Sequence, residues 1–192
     1  MDFFLKQVLP ALAGLVLAFP YLRHLANKED PAAFGFTWKP SRRALLECLL
    51  TTALVLLPLT FVSMHWPFED LPRRSGLART LRLATAGLSA AFIEEIFFRG
   101  WLQPLLRKKT GAFCAIALTS ALFASAHIFV AHSLFLLAVF FPGFVMGCLR
   151  ERHGNISTST LFHALANIWA IWFAPLRWPS VDWVLGKISA FF

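Results

Sequence analysis

Charged residues are scarce in this chain. Asp, Glu, Lys and Arg make up 15% of its 192 residues, whereas an ordinary soluble domain has about 25%. Hydrophobic residues reach 58%, against about 45–50% in such a domain. Several stretches of 17 or more residues hold at most two charges, which is long enough for a membrane-spanning helix. The shortage of charge excludes an ordinary soluble domain and predicts an integral membrane protein.

Other signals are missing as well. The three cysteines fall in apolar segments without metal-type spacing, so we predict small buried side chains rather than metal ligands. The first apolar run, 3–22, lacks a basic flank and a small-residue cleavage site, which predicts a retained helix and not a secretory signal. Since repeats and long linkers are also lacking, we predict a single integral membrane domain over residues 1–192.

Six apolar runs are candidates for membrane-spanning helices. They cover residues 3–22, 44–64, 82–106, 112–131, 133–149 and 155–175. Pro142 and Gly143 are expected to kink the short fifth helix, and the tail 179–192 is expected to lie in the membrane interface. The predicted fold class is therefore all-α, a polytopic membrane helix bundle of about six helices with a polar site inside.

Basic residues cluster at the ends of these runs. The net charge of +8 could suggest nucleic acid, but clusters at run ends favour contacts with anionic lipid headgroups and act as topology signals. The loops after the first, third and fifth helices hold about ten basic residues against about seven on the other side, which weakly favours a cytoplasmic position for those loops. The predicted partner surface is the lipid bilayer, with no nucleic acid.

Three charges interrupt the apolar stretch "SAAFIEEIFFRG". Each costs about 2.5–3.5 kcal/mol at the centre of a membrane helix. Glu95 and Arg99 are separated by four residues in the favoured order, so we predict a neutralising ion pair between them. Glu94 points about 100° away and is left without that partner. Alternatively, all three charges form one network that locks helices together.

A histidine is expected at the depth of the free glutamate. The third and fourth helices should form a hairpin that turns at Thr110-Gly111, and His127 is the mirror position of Glu94 across this turn. A carboxylate and an imidazole that share one water form a general-base pair. The spacing therefore predicts water activation between Glu94 and His127.

The sixth helix carries the motif "HALAN". His163 and Asn167 are four residues apart and point in the same direction, so their N–H groups could stabilise a developing oxyanion. Alternatively, the two side chains bond neighbouring helices together. The remaining four histidines fall at helix ends or in loops and are expected to be structural or solvated. They are His24, His65, His132 and His153.

These motifs resemble a known family. "EEIFFR" fits EExxxR, "FASAH" fits FxxxH and "HALAN" fits HxxxN, in that order, over a catalytic core of residues 80–175. The sequence is similar to the CAAX protease and bacteriocin-processing family, glutamic intramembrane proteases that include the Rce1-type prenyl-protein endopeptidases. Size and layout also resemble the compact bacterial branch that accompanies C-terminal sorting signals.

The resemblance implies an intramembrane endopeptidase without cofactor or metal. It implies that Glu94 and His127 activate water and that His163 and Asn167 hold the oxyanion. It further implies supporting roles for Glu95, Arg99 and Phe123, the last beneath the histidine. The implied substrate is a membrane-anchored protein or peptide, cleaved in a bacterial cytoplasmic membrane. Larger members have around eight spans, however, and nothing in this sequence identifies a prenyl-binding groove.

Two alternative functions remain open at the sequence level. Glu94, His127 and His163 are three N/O ligands and could form a catalytic zinc site, although HExxH spacing is lacking. The protein could also be a non-catalytic immunity or peptide-binding membrane protein. A binder should tolerate Glu94→Gln, whereas a hydrolase should not.

Overall fold

The described residues are helical. The computed structural model describes residues 9–30, 32, 35–65, 77–131 and 134–173, and the regular structure in them is all helical. The helices are α1 (Leu9–Ala26), α2 (Arg42–Met64), α3 (Leu77–Glu95), α4 (Gln103–Thr110), α5 (Ala112–Ala131), α6 (Phe140–His153) and α7 (Ser157–Phe173). The all-α fold class is confirmed, and each predicted run overlaps a helix. The tail 179–192 lies outside the described residues.

Helix α2 is the candidate membrane span. Within the described residues it is the one helix long and apolar enough to cross a bilayer, and Ala112–His127 is a shorter apolar segment. Leucines at i, i+4 spacing, such as Leu50 and Leu54, are exposed on its outer face. In water such a surface would be unfavourable, whereas hydrocarbon suits it. The total of about six crossings stays a prediction.

The third predicted helix is longer than expected and changes its winding. Helix α3 continues through a π-helical turn, Ile96–Leu102, directly into α4, so the rod covers 77–110 instead of 82–106. Pro104 is one reason for the wide turn, because a proline ring collides with the carbonyl four residues earlier in a regular α-helix. Gly111, at φ 84°, ends the rod and begins the predicted hairpin into α5.

The predicted fifth helix changes its winding before the proline. A 3₁₀ segment, Leu134–Val139, leads into α6, and Pro142 lies within the first turn of that helix. The first turn tolerates proline because its N–H groups lack intrahelical acceptors. The helix therefore changes type at Val139–Phe140, before the proline, and the segment from Phe140 to His153 is a regular α-helix.

Helix α7 lies at the centre of the described packing. It packs against α2, α3 and α6, while α5 packs against α4 and α6, and α1 lies along the π-helical turn. The expectation of three buried cysteines is correct for Cys48 alone, because Cys114 and Cys148 face the outside of the bundle. The central position of α7 brings "HALAN" beside the end of α3.

Polar contacts gather at one end of the bundle. Glu47 accepts hydrogen bonds from Arg43 and also from Arg152 at the end of α6. At the end of α4, Arg107 pairs with Glu151. The loops after α1, α4 and α6, which the sequence places on one side of the membrane, are thus at the same end.

The loop between α1 and α2 is packed into this end, and we call Gly35–Trp38 the strap. Gly35 has φ +79° and its carbonyl accepts a hydrogen bond from Ile156 N at 3.0 Å. Phe36 is buried against the π-helical turn, where a Cβ on Gly100 would come within 2.0 Å of its ring. Trp38 stacks on Phe92 of α3, with ring centroids 4.2 Å apart.

Candidate active site

The end of α3 carries a fully buried ion pair. Arg99 Nη1 donates to Glu95 Oε1 at 2.9 Å, and both side chains are 0% exposed. The i,i+4 pair predicted from the sequence is therefore present. A lone buried charge is expensive, so each of these two residues depends on the other.

Helix α6 and α5 complete the surroundings of Arg99. Its Nη2 donates to the carbonyl of Gly143 at 3.0 Å, and a Cβ at Gly143 would lie 3.3 Å from that nitrogen. The guanidinium also lies over the ring of Phe123, with Cζ 4.4 Å from the centroid, a favourable cation–π contact. Arg99 is therefore fixed by three neighbours from three elements.

His163 lies between the two glutamates. Its Nδ1 is 3.2 Å from Glu95 Oε1, and its Nε2 is 3.6 Å from Glu94 Oε2. Because Glu95 Oε1 also accepts from Arg99, it acts as an acceptor here and His163 Nδ1 donates. The sequence did not predict this arrangement, since it depends on the packing of α7 against α3.

Glu94 is in a different environment from its neighbour. Its side chain is 22% exposed, against 0% for Glu95. Its Oε2 is buried and, like the Oε2 of Glu95, accepts no hydrogen bond from the residues that the structure describes. A carboxylate oxygen in such a place has its lone pairs available for a small polar molecule.

His127 is oriented by its own helix. Its Nδ1 lies 2.9 Å from the carbonyl of Phe123, which can only accept, so Nδ1 carries the hydrogen and, in the neutral ring, Nε2 is an acceptor. The Phe123 ring contacts His127 and His163, with centroid distances of 4.5 and 5.5 Å. Phe123 thus packs against His127 as expected, and in the described residues no ion pair joins His127 directly to Glu94.

Asn167 follows His163 by one turn of α7. Its Nδ2 donates to the carbonyl of Gly87 on α3 at 3.0 Å. A Cβ on Gly87 would lie 3.4 Å from that of Asn167, so the glycine permits this close approach. The bond is the cross-helix alternative considered for this motif, and it leaves the second N–H of the carboxamide available.

The other histidines lie away from this cluster. His24 pairs with Glu29 in the loop after α1, His65 bonds the Phe61 carbonyl at the end of α2, and His153 is near Glu47. These three are structural or solvated, as predicted, and His132 lies outside the described residues. Among the residues described, no three His, Cys, Asp or Glu side chains are arranged to hold a metal ion, so the alternative zinc set is not assembled there.

Sequence reasoning missed two parts of the site. The carbonyl of Gly143 as a partner of Arg99 could not be predicted, because it comes from a helix more than forty residues away. The π-helical turn has one signal in the sequence, which is Pro104, five residues after Arg99. Both features position Arg99, so they belong to the support of the site.

One family model matches the sequence. The model described as Rce1-like, type II CAAX prenyl endopeptidase Rce1-like, covers residues 76–169, and these residues include the three motifs and the cluster around Glu95. No curated protein and no solved structure matches the chain. Over residues 76–169 the chain is thus similar to the Rce1-like family of membrane-embedded CAAX proteases.

Proposed function

We propose that the protein is a glutamic intramembrane endopeptidase that cleaves a peptide bond in a membrane-associated protein or its C-terminal segment. The observation that supports this proposal most is the difference in environment between the side chains of Glu94 and Glu95. Arg99 neutralises Glu95 in a closed environment, whereas Glu94 is 22% exposed and lies outside this ion pair. A partly exposed carboxylate inside a bundle is a suitable general base.

Water is activated between Glu94 and His127. The Nε2 of His127 accepts a hydrogen bond from one O–H group of the water. A Glu94 oxygen takes the proton of the second O–H group as the water oxygen attacks the carbonyl carbon. The O–H bond breaks, a C–O bond forms, and the carbonyl oxygen becomes an oxyanion. Glu94 then passes the proton to the amide nitrogen when the C–N bond breaks, which restores the Glu94 carboxylate for the next cycle.

The oxyanion is held by α7. Asn167 offers the N–H that is not bonded to Gly87, and His163 offers Nε2, which points toward Glu94 at 3.6 Å. His163 donates from Nε2 when both ring nitrogens carry a proton, and the Glu95 carboxylate on Nδ1 then compensates its charge. Donors that are fixed before the reaction stabilise the transition state without reorganisation.

The substrate class is the C-terminal anchor segment of a membrane protein in the bacterial cytoplasmic membrane. This choice rests on the resemblance of the layout of the chain to the compact bacterial branch that accompanies C-terminal sorting signals. The purified protein in vesicles should cleave an unprenylated peptide with an apolar C-terminal segment. Preferential cleavage of a prenylated CAAX peptide would contradict this assignment while leaving the hydrolase intact.

The test of the catalytic assignment compares Glu94→Gln with Glu95→Gln. Glu94→Gln is isosteric and lies outside the buried ion pair, so the protein should accumulate normally and lose about 10²–10⁴ in kcat, the usual contribution of general acid–base catalysis. Glu95→Gln leaves Arg99 as an uncompensated buried charge and should lower both accumulation and activity.

Cleavage of co-expressed membrane-anchored proteins, with each variant quantified by immunoblot, provides the readout. Disappearance of the processed band in Glu94→Gln at normal protein level supports the proposal. Normal processing by Glu94→Gln would overturn it and favour a peptide-binding role.

A further inference from the structure

The backbone carbonyl of Arg99 has no donor within its own helix. In the π-helical turn the N–H of Gln103 is already bonded to the carbonyl of Phe98. The next residue, which would be the i+5 donor to Arg99, is Pro104, and proline has no N–H. A buried carbonyl without a donor costs free energy comparable to a lost hydrogen bond. The fold therefore has to supply a donor from elsewhere.

That donor is Arg150 of α6. Its Nε donates to the carbonyl of Arg99 at 3.1 Å, and its guanidinium lies against the backbone of Gly35 in the strap, where a Cβ would come within 2.6 Å of Nη2. The bond complements another contact between the same two elements, in which Arg99 Nη2 donates to the carbonyl of Gly143. Arg99 is thus held by α6 at its backbone and at its side chain.

A further hydrogen bond keeps the two helices in register. Gln103 Nε2 donates to the carbonyl of Gly147 at 3.0 Å, four residues beyond each partner of the Arg99–Gly143 bond. A Cβ on Gly147 would come within 2.8 Å of Ile116, so the glycine is required for the close packing. Two successive side-chain bonds to backbone carbonyls define the relative position of α6 and the turn.

We propose that Arg150 is a positioning residue for the active site. Its side chain replaces the N–H that Pro104 lacks, and this keeps the π-helical turn in the shape that aims Arg99 at Glu95. Through Glu95 the same contact positions His163. The effect on catalysis rests on the function proposed above, whereas the effect on the turn does not.

The experiment is a rescue. Arg150→Gln shortens the side chain and removes the Nε donor, so the turn should relax and displace Arg99. Small displacements of catalytic groups lower rates strongly, and we expect kcat to fall about 10- to 100-fold with KM unchanged. Pro104→Ala restores a backbone N–H at the position that can reach the Arg99 carbonyl. In the Arg150→Gln background it should recover most of the lost kcat and of the lost thermal stability.

Arg152→Gln is the matched control. It removes an arginine two residues further along the same helix, where the partner is the exposed Glu47 and not the turn. This variant should keep kcat, and Pro104→Ala should not improve it. Arg150→Lys retains a donor of similar reach and should lie between wild type and Arg150→Gln.

The outcomes separate the inference from the proposed function. Thermal unfolding in detergent measures the stability that the turn contributes and requires no substrate. If Arg150→Gln accumulates poorly, recovery of accumulation by Pro104→Ala has the same meaning as recovery of stability. The inference is overturned if Arg150→Gln behaves as wild type, or if Pro104→Ala restores neither stability nor accumulation. Normal processing by Glu94→Gln alongside a successful stability rescue would overturn the proposed function alone.

Discussion

Two consecutive glutamates occupy opposite environments in this protein. Glu95 is closed off from solvent and its Oε1 accepts from Arg99 and from His163. Glu94 is 22% exposed, and its nearest described partner is the Nε2 of His163 at 3.6 Å. Adjacent residues on a helix differ by about 100° in direction, so one dipeptide can place its two side chains on different sides of the same helix.

The comparison shows how a bundle tolerates charge at depth. The Glu95 side is a structural assembly with α6 and α5, in which the guanidinium cancels one carboxylate and is itself held by Gly143 and Phe123. The Glu94 side lies outside this ion pair and is partly exposed. The Glu95 side supports the Glu94 side, because His163 contacts both glutamates. Variants on the two sides should therefore fail in different ways.

The largest effect is expected from Arg99→Met. This change leaves Glu95 as a buried charge without its partner and should destabilise the protein by about 3–5 kcal/mol. Thermal unfolding in detergent and the amount of protein in the membrane provide the measurement. The double variant Glu95→Gln/Arg99→Met removes both charges, so it should recover much of the stability without recovering activity. Equal stability of single and double variants would contradict the ion-pair account.

The second effect concerns Asn167→Ala on the open side. In the proposed mechanism Asn167 is an oxyanion donor. Loss of one such donor usually costs about 10²–10³ in kcat, and KM should remain unchanged because the donor acts in the transition state. The matched control is Trp169→Phe, which removes another cross-helix bond of α7, from Trp169 Nε1 to Thr60 Oγ1 at 2.8 Å. That control should lose about 0.5–1.5 kcal/mol of stability and keep its kcat. Parallel losses of kcat in both variants would assign Asn167 a packing role.

A third variant, Gly100→Ala, tests the strap. The added methyl group collides with Phe36 at 2.0 Å, and overpacking of this kind costs about 1–3 kcal/mol. Phe36→Leu in the same chain should relieve part of the cost. Gly14→Ala, where a Cβ meets nothing within 4 Å, should be neutral or slightly stabilising in the same unfolding measurement.

The smallest effect is expected from Arg43→Gln. Glu47 keeps its bonds to Arg152 when this partner is removed, and exposed i,i+4 pairs contribute about 0.3–0.5 kcal/mol. The change in unfolding temperature should be close to the error of the measurement. A loss comparable to that of Arg99→Met would mean that exposure does not separate the two classes of ion pair.

Local features of the site could be predicted from the sequence. The Glu95–Arg99 pair depends on the helical spacing alone, and the hairpin depends on the glycine at position 111. These features need one helix, or one turn between two helices. The apolar runs likewise predicted the helices, although their ends differ by several residues.

Contacts between distant segments could not be predicted. The sequence gives no distance between His163 and Glu94, and it does not indicate that Arg150 reaches the carbonyl of Arg99. Both depend on how α6 and α7 pack against the rod of α3 and α4. The π-helical turn lies between these two cases. Pro104 predicts an irregular helix, but it does not specify which carbonyl lacks its hydrogen bond.

The strap has a consequence for biosynthesis. Its carbonyl at Gly35 is bonded by Ile156, a residue that leaves the ribosome about 120 residues later, which takes on the order of ten seconds at ordinary rates of translation. The turn against which Phe36 packs is also made well after the strap. The contacts of the strap can therefore form only after the chain has been made as far as Ile156, so the loop between α1 and α2 stays unpacked for most of synthesis.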